Sequence, residues 1–135
     1  MAERYFTLTE ATELLPEVRA LAESLVEHRR GMRLAAERRA RLTARIAGNG
    51  GDLDPQEPGE LDEEFERESR AVARAAAGLQ HLGVLVKDLD RGLVDFPARH
   101  KGQEVLLCWQ LGEDEIAHWH GVDEGFAGRK PLPLD

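Results

Sequence analysis

Between Val18 and Ile46 the chain repeats apolar residues at alternating steps of three and four: Val18, Leu21, Leu25, Met32, Ala35, Leu42 and Ile46, with His28 and Arg39 filling two positions of the same series. On a helix this spacing draws one stripe along one face for about four heptads. A second series, Leu61, Phe65, Glu68, Val72, Ala75, Leu79 and Leu82, keeps the same step and stops at Gly83, a helix-ending residue. Between them lies GNGGDLDPQEPGE, rich in Gly, Pro and acids, which reads as an exposed turn or mobile loop over residues 48–60. The two stripes therefore predict a long antiparallel helical hairpin, coiled-coil-like in its packing. Facing them across the loop sets Ile46 beside Leu61, Leu42 beside Phe65 and Leu25 beside Leu82, with Arg39 and Glu68 opposite one another. Facing opposite charges offset their desolvation and fix alignment. His28 falls near Leu79 in this register and reads as a partly exposed stripe residue rather than a ligand.

Ahead of the first stripe, Thr7 and Glu10 have the form of a capping box, each side chain satisfying a backbone N–H at a helix start. Pro16 lacks the N–H a helix interior uses, so a short first helix, a break or kink, and a longer helix begun by Pro16 are expected.

After Gly83 the period changes to two. VLVKD reads as a strand, Asp88 to Arg91 as a turn, GLVDFP as a second strand and ARHKG as a loop, followed by EVLLCWQL and EIAHWH as third and fourth strands. The fold class is α+β. A single domain over residues 1–135 is expected, with the hairpin at 7–83 followed by a small antiparallel β-meander of three to four strands and a C-terminal loop at 84–135.

Strand parity gives the meander its chemistry. His118 and His120 share one face and Trp119 takes the other. Asp123 and Glu124 follow in a glycine-bounded loop, and two imidazoles with carboxylates suit zinc or ferrous iron, leaving positions open for water or substrate. His118, His120, Asp123 and Glu124 are thus the candidate metal ligands. Their alternative is half-buried strand histidines bonded to backbone, and none of the specific metal patterns, HExxH or paired CxxC, is present. Gly112 fits the first central position of a two-residue turn in LGED. That register sets Cys108 facing away from both histidines, whereas a three-residue loop would put it directly across from His118. The first is favoured, and Cys108 is left out of the site. In GFAGR, two glycines allow close approach around Phe126, and Arg129 is either an anchor for a small anionic ligand or a latch to an acid such as Asp95 or Asp88. Phe126, Arg129 and Trp119 are the candidate ligand-binding residues. Asp95 and Glu104 lie on adjacent predicted strands, but the loop between leaves their spacing undefined and no catalytic role is assigned.

Composition narrows the partners. A formal charge of −8 disfavours phosphate backbones and anionic lipid, so nucleic acid and membrane are set aside. A lone cysteine forms no internal disulfide, no signal-like start is present, and no apolar run approaches the roughly 20 residues that span a bilayer. A cytoplasmic protein is expected. Alanines at 71, 73, 75, 76 and 77 let a second backbone approach, which makes a homodimer through the hairpin an expectation.

GLVDFP, LCW, IAHWH and DEGFAGR, together with the opening FTLTEATELLPEV, resemble a family of small bacterial proteins catalogued as a domain of unknown function. The resemblance spans nearly the whole chain, and the closing WH and GF-GR elements are its most specific part. It implies a soluble helical hairpin with strands and supplies no activity, cofactor or catalytic residue. Two functions are left by the residues themselves: a metal- or small-anion-binding protein with its site on the last strand and glycine-framed loop, or an interaction module in which the hairpin dimerises and the strands form a structural cap. No nucleophile elbow, phosphate-cradling loop or dinucleotide fingerprint points to a particular enzyme.

Overall fold

The computed structural model describes residues 3–49 and 54–134. Two helices, α1 (Leu8–Asn49) and α2 (Glu57–His81), precede five strands: β1 (Leu85–Asp88), β2 (Leu93–His100), β3 (Gln103–Gln110), β4 (His118–Gly121) and β5 (Lys130–Pro131). The strands form one antiparallel sheet in chain order, so a helical hairpin followed by a β-meander is the architecture, with one more strand than the pattern predicts.

The capping box starts α1 as expected. Thr7 N–H donates to Glu10 Oε1 at 2.8 Å and Glu10 N–H donates to Thr7 Oγ1 at 3.1 Å. The break at Pro16 does not occur, because α1 runs unbroken through it. Both Pro16 and Thr12, whose carbonyl loses its helical partner, face solvent, where the freed oxygen is open to water. Ala11, Leu15 and Val18 are buried on the inner face and hold the helix together across the proline.

The stripes lie where the periodicity puts them, but their axial register differs. Arg39 pairs with Asp62 at 3.0 Å, and Glu68 pairs instead with His28, whose Nδ1 is 2.7 Å from Glu68 Oε2. Arg45 meets Glu57, Arg38 meets Glu64, and Leu21 packs over Gly78. Against the Arg39–Glu68 alignment α2 is slid by about one heptad, a shift that leaves every residue on the same face and exchanges only its partner. Gly31 makes room for this arrangement, since a Cβ there would lie 2.5 Å from Glu68 Cδ. Of the expected loop at 48–60, residues 50–53 lie outside the described residues, and residues 57–60 already belong to α2, with Pro58 in its first turn.

The hairpin packs on one face of the sheet. Phe6, Leu15, Val18, Ala22 and Leu25 from the N-terminal arm, with Val72, Ala75 and Leu79 from α2, bury Val94, Phe96, Ala98, Val105, Leu107 and Trp109. Phe6 and Phe96 meet edge to face at 5.4 Å.

Two connections differ from expectation and change which side chains meet. Residues 98–100 continue β2, and the chain reverses at Lys101 and Gly102 (φ 51° and 77°), the two positive values of a type I′ turn. After β3, Gly112 (φ 106°) is the second central residue of a turn closed by Glu113 N–H to Gln110 C=O at 3.0 Å. The strands do not resume pairing until His118, and Cys108 then stands directly opposite His118. The expectation that Cys108 faces away from the histidines is thus corrected: the turn sits one residue earlier than a two-residue Gly112–Glu113 loop, and the longer connection is held by Glu113.

Candidate metal centre

On the sheet face turned from the helices, β2, β3 and β4 bring Asp95, Cys108 and His120 together. Asp95 is opposite Cys108, and Cys108 is opposite His118, two residues from His120 on the same face. A donor atom from each of Asp95, Cys108 and His120 lies within 4.8 Å of the others, and all three residues are buried. The His120 and Asp95 side chains are only 5% and 1% exposed.

His120 Nδ1 lies 2.9 Å from Gly121 O. A carbonyl oxygen only accepts, so Nδ1 carries the hydrogen of this bond. Nε2 is 3.0 Å from Asp95 Oδ1 and 3.1 Å from Oδ2. With the hydrogen on Nδ1, a neutral ring turns the Nε2 lone pair onto the carboxylate, and only a cation between them makes that contact favourable, either a proton or a metal ion. The Cys108 thiol is pushed up to about 12, first by burial and then by the neighbouring Asp95 charge, with Arg129 pulling the other way. An unmetallated site therefore keeps its sulfur protonated.

Beside the cluster, Glu113 organises the connection into β4. Its carboxylate accepts Gln110 N–H at 2.8 Å and Arg129 Nη2 at 2.8 and 2.9 Å, and its carbonyl accepts Trp109 Nε1 at 3.0 Å. Arg19 of α1 donates to the Asp114 carbonyl at 3.0 Å, tying the same loop to the hairpin. Arg129 is thus engaged as a latch, although its partner is Glu113 rather than Asp95 or Asp88.

The remaining candidates are dispersed. His118 lies on the cluster's face, but its Nδ1 is 3.9 Å from Glu113 Oε2 and is buried without a hydrogen-bond partner among the described residues. Asp123 is exposed. Glu124 accepts Gly121 N–H at 2.8 Å and Lys130 Nζ at 2.6 Å; these bonds, Lys130 first, hold its carboxyl below the ordinary range. Trp119 lies on the helix-side face under Lys130, whose Nζ is 4.6 Å from the ring centre. Phe126, in a short 3-10 turn (Phe126–Gly128), lies between two guanidinium groups, Arg91 at 4.4 Å and Arg129 at 4.7 Å. Asp95 and Glu104 are not partners across strands: Glu104 is opposite Arg99 and accepts the Tyr5 hydroxyl at 2.6 Å.

The segment after β4 roofs the cluster. Val122, Glu124, Gly125 and Phe126 line a cavity of about 330 Å³ together with Asp95 and His120, at the small end of the range for small-molecule sites.

The model of a family described as "Uncharacterized conserved protein (DUF2203)" matches residues 4–132. The chain belongs to the DUF2203 family. In this DUF2203 chain the matched region takes in the whole sheet and every residue of the Asp95–Cys108–His120 cluster. No curated protein and no solved structure matches it at a significant level. Among the described residues no helix is long and apolar enough to cross a membrane.

The sequence reading includes His120 and leaves out Asp95 and Cys108, the two residues that the fold brings beside it. Asp95 carries the clearer signal: it is the one charged residue in the apolar run Leu93–Ala98, and a carboxylate buried there needs a cationic or donor partner. Cys108 was lost to the turn register alone.

Proposed function

We propose that this protein binds a divalent transition metal, zinc above others, through Asp95, Cys108 and His120. The observation that carries the proposal is the orientation of His120, whose Nδ1–H is held by the Gly121 carbonyl while Nε2 points at both oxygens of a buried carboxylate. A backbone carbonyl on the far nitrogen is the usual second partner of a metal-bound imidazole, because it fixes the tautomer that leaves the lone pair free. Donors each about 2.1 Å from zinc lie about 3.4 Å apart at the tetrahedral angle, so a small rotation of the carboxylate admits the ion. Thiolate, imidazole and carboxylate together favour zinc over ferrous iron, which the set His, His and carboxylate would suit better. Three protein ligands leave a fourth position open toward the cavity, the pattern of sites that bind or activate a further ligand rather than purely structural ones. His118 and the acids of the loop, Asp123 and Glu124, surround this centre rather than ligate it.

Metal analysis of protein purified without a histidine tag tests the proposal. Stoichiometric zinc that is lost in Cys108→Ser and His120→Ala is the expected result. Substoichiometric zinc, iron, copper and manganese, unchanged by either substitution, would leave the proton as the cation between His120 and Asp95 and end the metal reading.

A second reading, a hairpin that dimerises under a structural sheet, draws support from Leu34 and Ile46, large apolar side chains 47% and 48% exposed on the outer half of α1. Light scattering at high micromolar concentration decides it, a monomer counting against the hairpin as a homodimer interface.

A further inference from the structure

Two cationic side chains, Lys87 and Arg91, line the cavity over the cluster, and the feature that places the first of them lies on β1. Val86 pairs with Val94 and Asp88 pairs with Leu93, so Lys87 is an extra residue in a β-bulge. Bulges re-aim side chains. Here the bulge leaves two consecutive residues, Lys87 and Asp88, lining the same cavity.

Asp88 is used internally. Its Oδ1 accepts the backbone N–H of Asp90 at 2.9 Å and of Arg91 at 3.2 Å, closing the turn that delivers Arg91 to the cavity wall. Arg91 is then fixed by a bond from Nη2 to Gln110 Oε1 at 3.0 Å and by stacking on Phe126 at 4.4 Å. Only one of the five guanidinium donors is occupied by that bond. Glu124, the other acid at the rim, is held by Gly121 N–H and Lys130. Lys87 has no hydrogen-bond or ion-pair partner among the described residues. Of the acids in the wall, Glu124 is paired with Lys130, Asp95 faces His120 and Asp88 is hydrogen-bonded by backbone N–H groups, while the two cations, Lys87 and Arg91, keep free donors.

From this accounting we infer that the cavity binds a small molecule through an oxyanion group, a carboxylate or phosphate, held by Lys87 and Arg91, with its other end directed at the open position of the Asp95–Cys108–His120 centre. The inference rests on the proposed metal for that inner end only. A planar guanidinium presents paired donors to either oxyanion, and a free ammonium adds charge without fixing geometry. Phe126 backs Arg91 and preorganises it, so little side-chain freedom is lost on binding.

Calorimetric titration with inorganic phosphate and with acetate, on zinc-loaded and metal-free protein, tests this. Saturable binding of at least one of the two is expected, weakened tenfold or more in the Lys87→Gln, Arg91→Gln double variant, with zinc content unaltered because neither side chain belongs to the cluster. The contrast between the two anions identifies the oxyanion preferred. Lys87→Gln alone, a change at an exposed side chain, gives the same direction of effect should loss of Arg91 loosen Phe126. Absence of saturation by both anions, or equal affinity in the variants, overturns the inference even if zinc is bound. Should the protein take up no zinc, the metal reading falls by itself, and the metal-free titration decides the anion site on the same criteria.

Discussion

Cys108 stands directly across the β3–β4 pair from His118 and across the β2–β3 pair from Asp95, so its sulfur lies in a row of polar side chains on the sheet face away from the helices. The row is closed to water at Cys108 and Asp95, while His118 at its end is partly exposed. The protonation state of the sulfur follows from that enclosure.

With the thiol pushed up to about 12 from an ordinary value of 9.0, the metal-free protein holds about a thousandfold less thiolate near pH 8 than an unperturbed cysteine. Alkylation by iodoacetamide is expected to be slower by a comparable factor, and to recover to the free-cysteine rate in denaturant. Rapid alkylation of the folded, metal-free protein would contradict the burial assigned to Cys108.

The Asp95–His120 pair is nearly inaccessible, so removing one partner strands the other. Asp95→Ala is expected to cost about 3–5 kcal/mol in metal-free protein. Asp95→Leu combined with His120→Phe should cost less than the sum of the two single changes, since no uncompensated polar group is left. Urea unfolding of the four proteins measures this, and simple additivity would show that the two groups do not interact.

Arg129 fastens the last strand to the Glu113 loop through a guanidinium that is 13% exposed. Arg129→Ala is expected to cost about 1.5–3 kcal/mol and to speed amide exchange from Phe126 to Pro131. Exchange unaltered in that segment would remove the latch.

The pairing of the two helices distinguishes registers by coupling. A double-mutant cycle on His28 and Glu68 should return about 0.2–1 kcal/mol, modest because both side chains are partly solvated. The same cycle on Arg39 and Glu68 should return nothing, and a coupling there would restore the alternative alignment.

At the start of α1, Glu10 is held below its usual carboxyl range, first by the Thr7 N–H and then by the Thr7 hydroxyl. A depressed carboxyl stabilises the fold above its unfolded value of about 4.5, and that contribution disappears as pH falls through the folded value. Wild type should therefore melt above Glu10→Gln at neutral pH, with the gap closing in acid. A gap independent of pH would mean that the charge of Glu10 contributes nothing.

Much of the hairpin was legible because a three-four step fixes which face of a helix is buried. Leu25, Ala35, Leu42, Val72 and Leu79 all lie inward as their spacing requires. Axial position was not legible, since sliding one helix by a heptad keeps the pattern intact, and what distinguishes the registers is local: the gap at Gly31 that Glu68 fills. The continuous helix at Pro16 escaped for a related reason, because the cost of a proline depends on whether the carbonyl behind it reaches water. In the sheet, period two gave the strand faces of His118 and His120 correctly. The neighbours of those histidines depended on a turn held by a side chain, Glu113 capping Gln110, which strand periodicity does not encode. A single-residue difference there decides whether Cys108 shares a face with the histidines.

Gly121 connects side chains on the two faces of the sheet. Its carbonyl accepts the His120 imidazole and the backbone N–H of Glu124, while its N–H is held by the Glu124 carboxylate. Glu124 in turn grips Lys130, and Lys130 lies over the ring of Trp119. The contacts thus run from a buried imidazole on one face of the sheet to an indole on the other, by way of one peptide group.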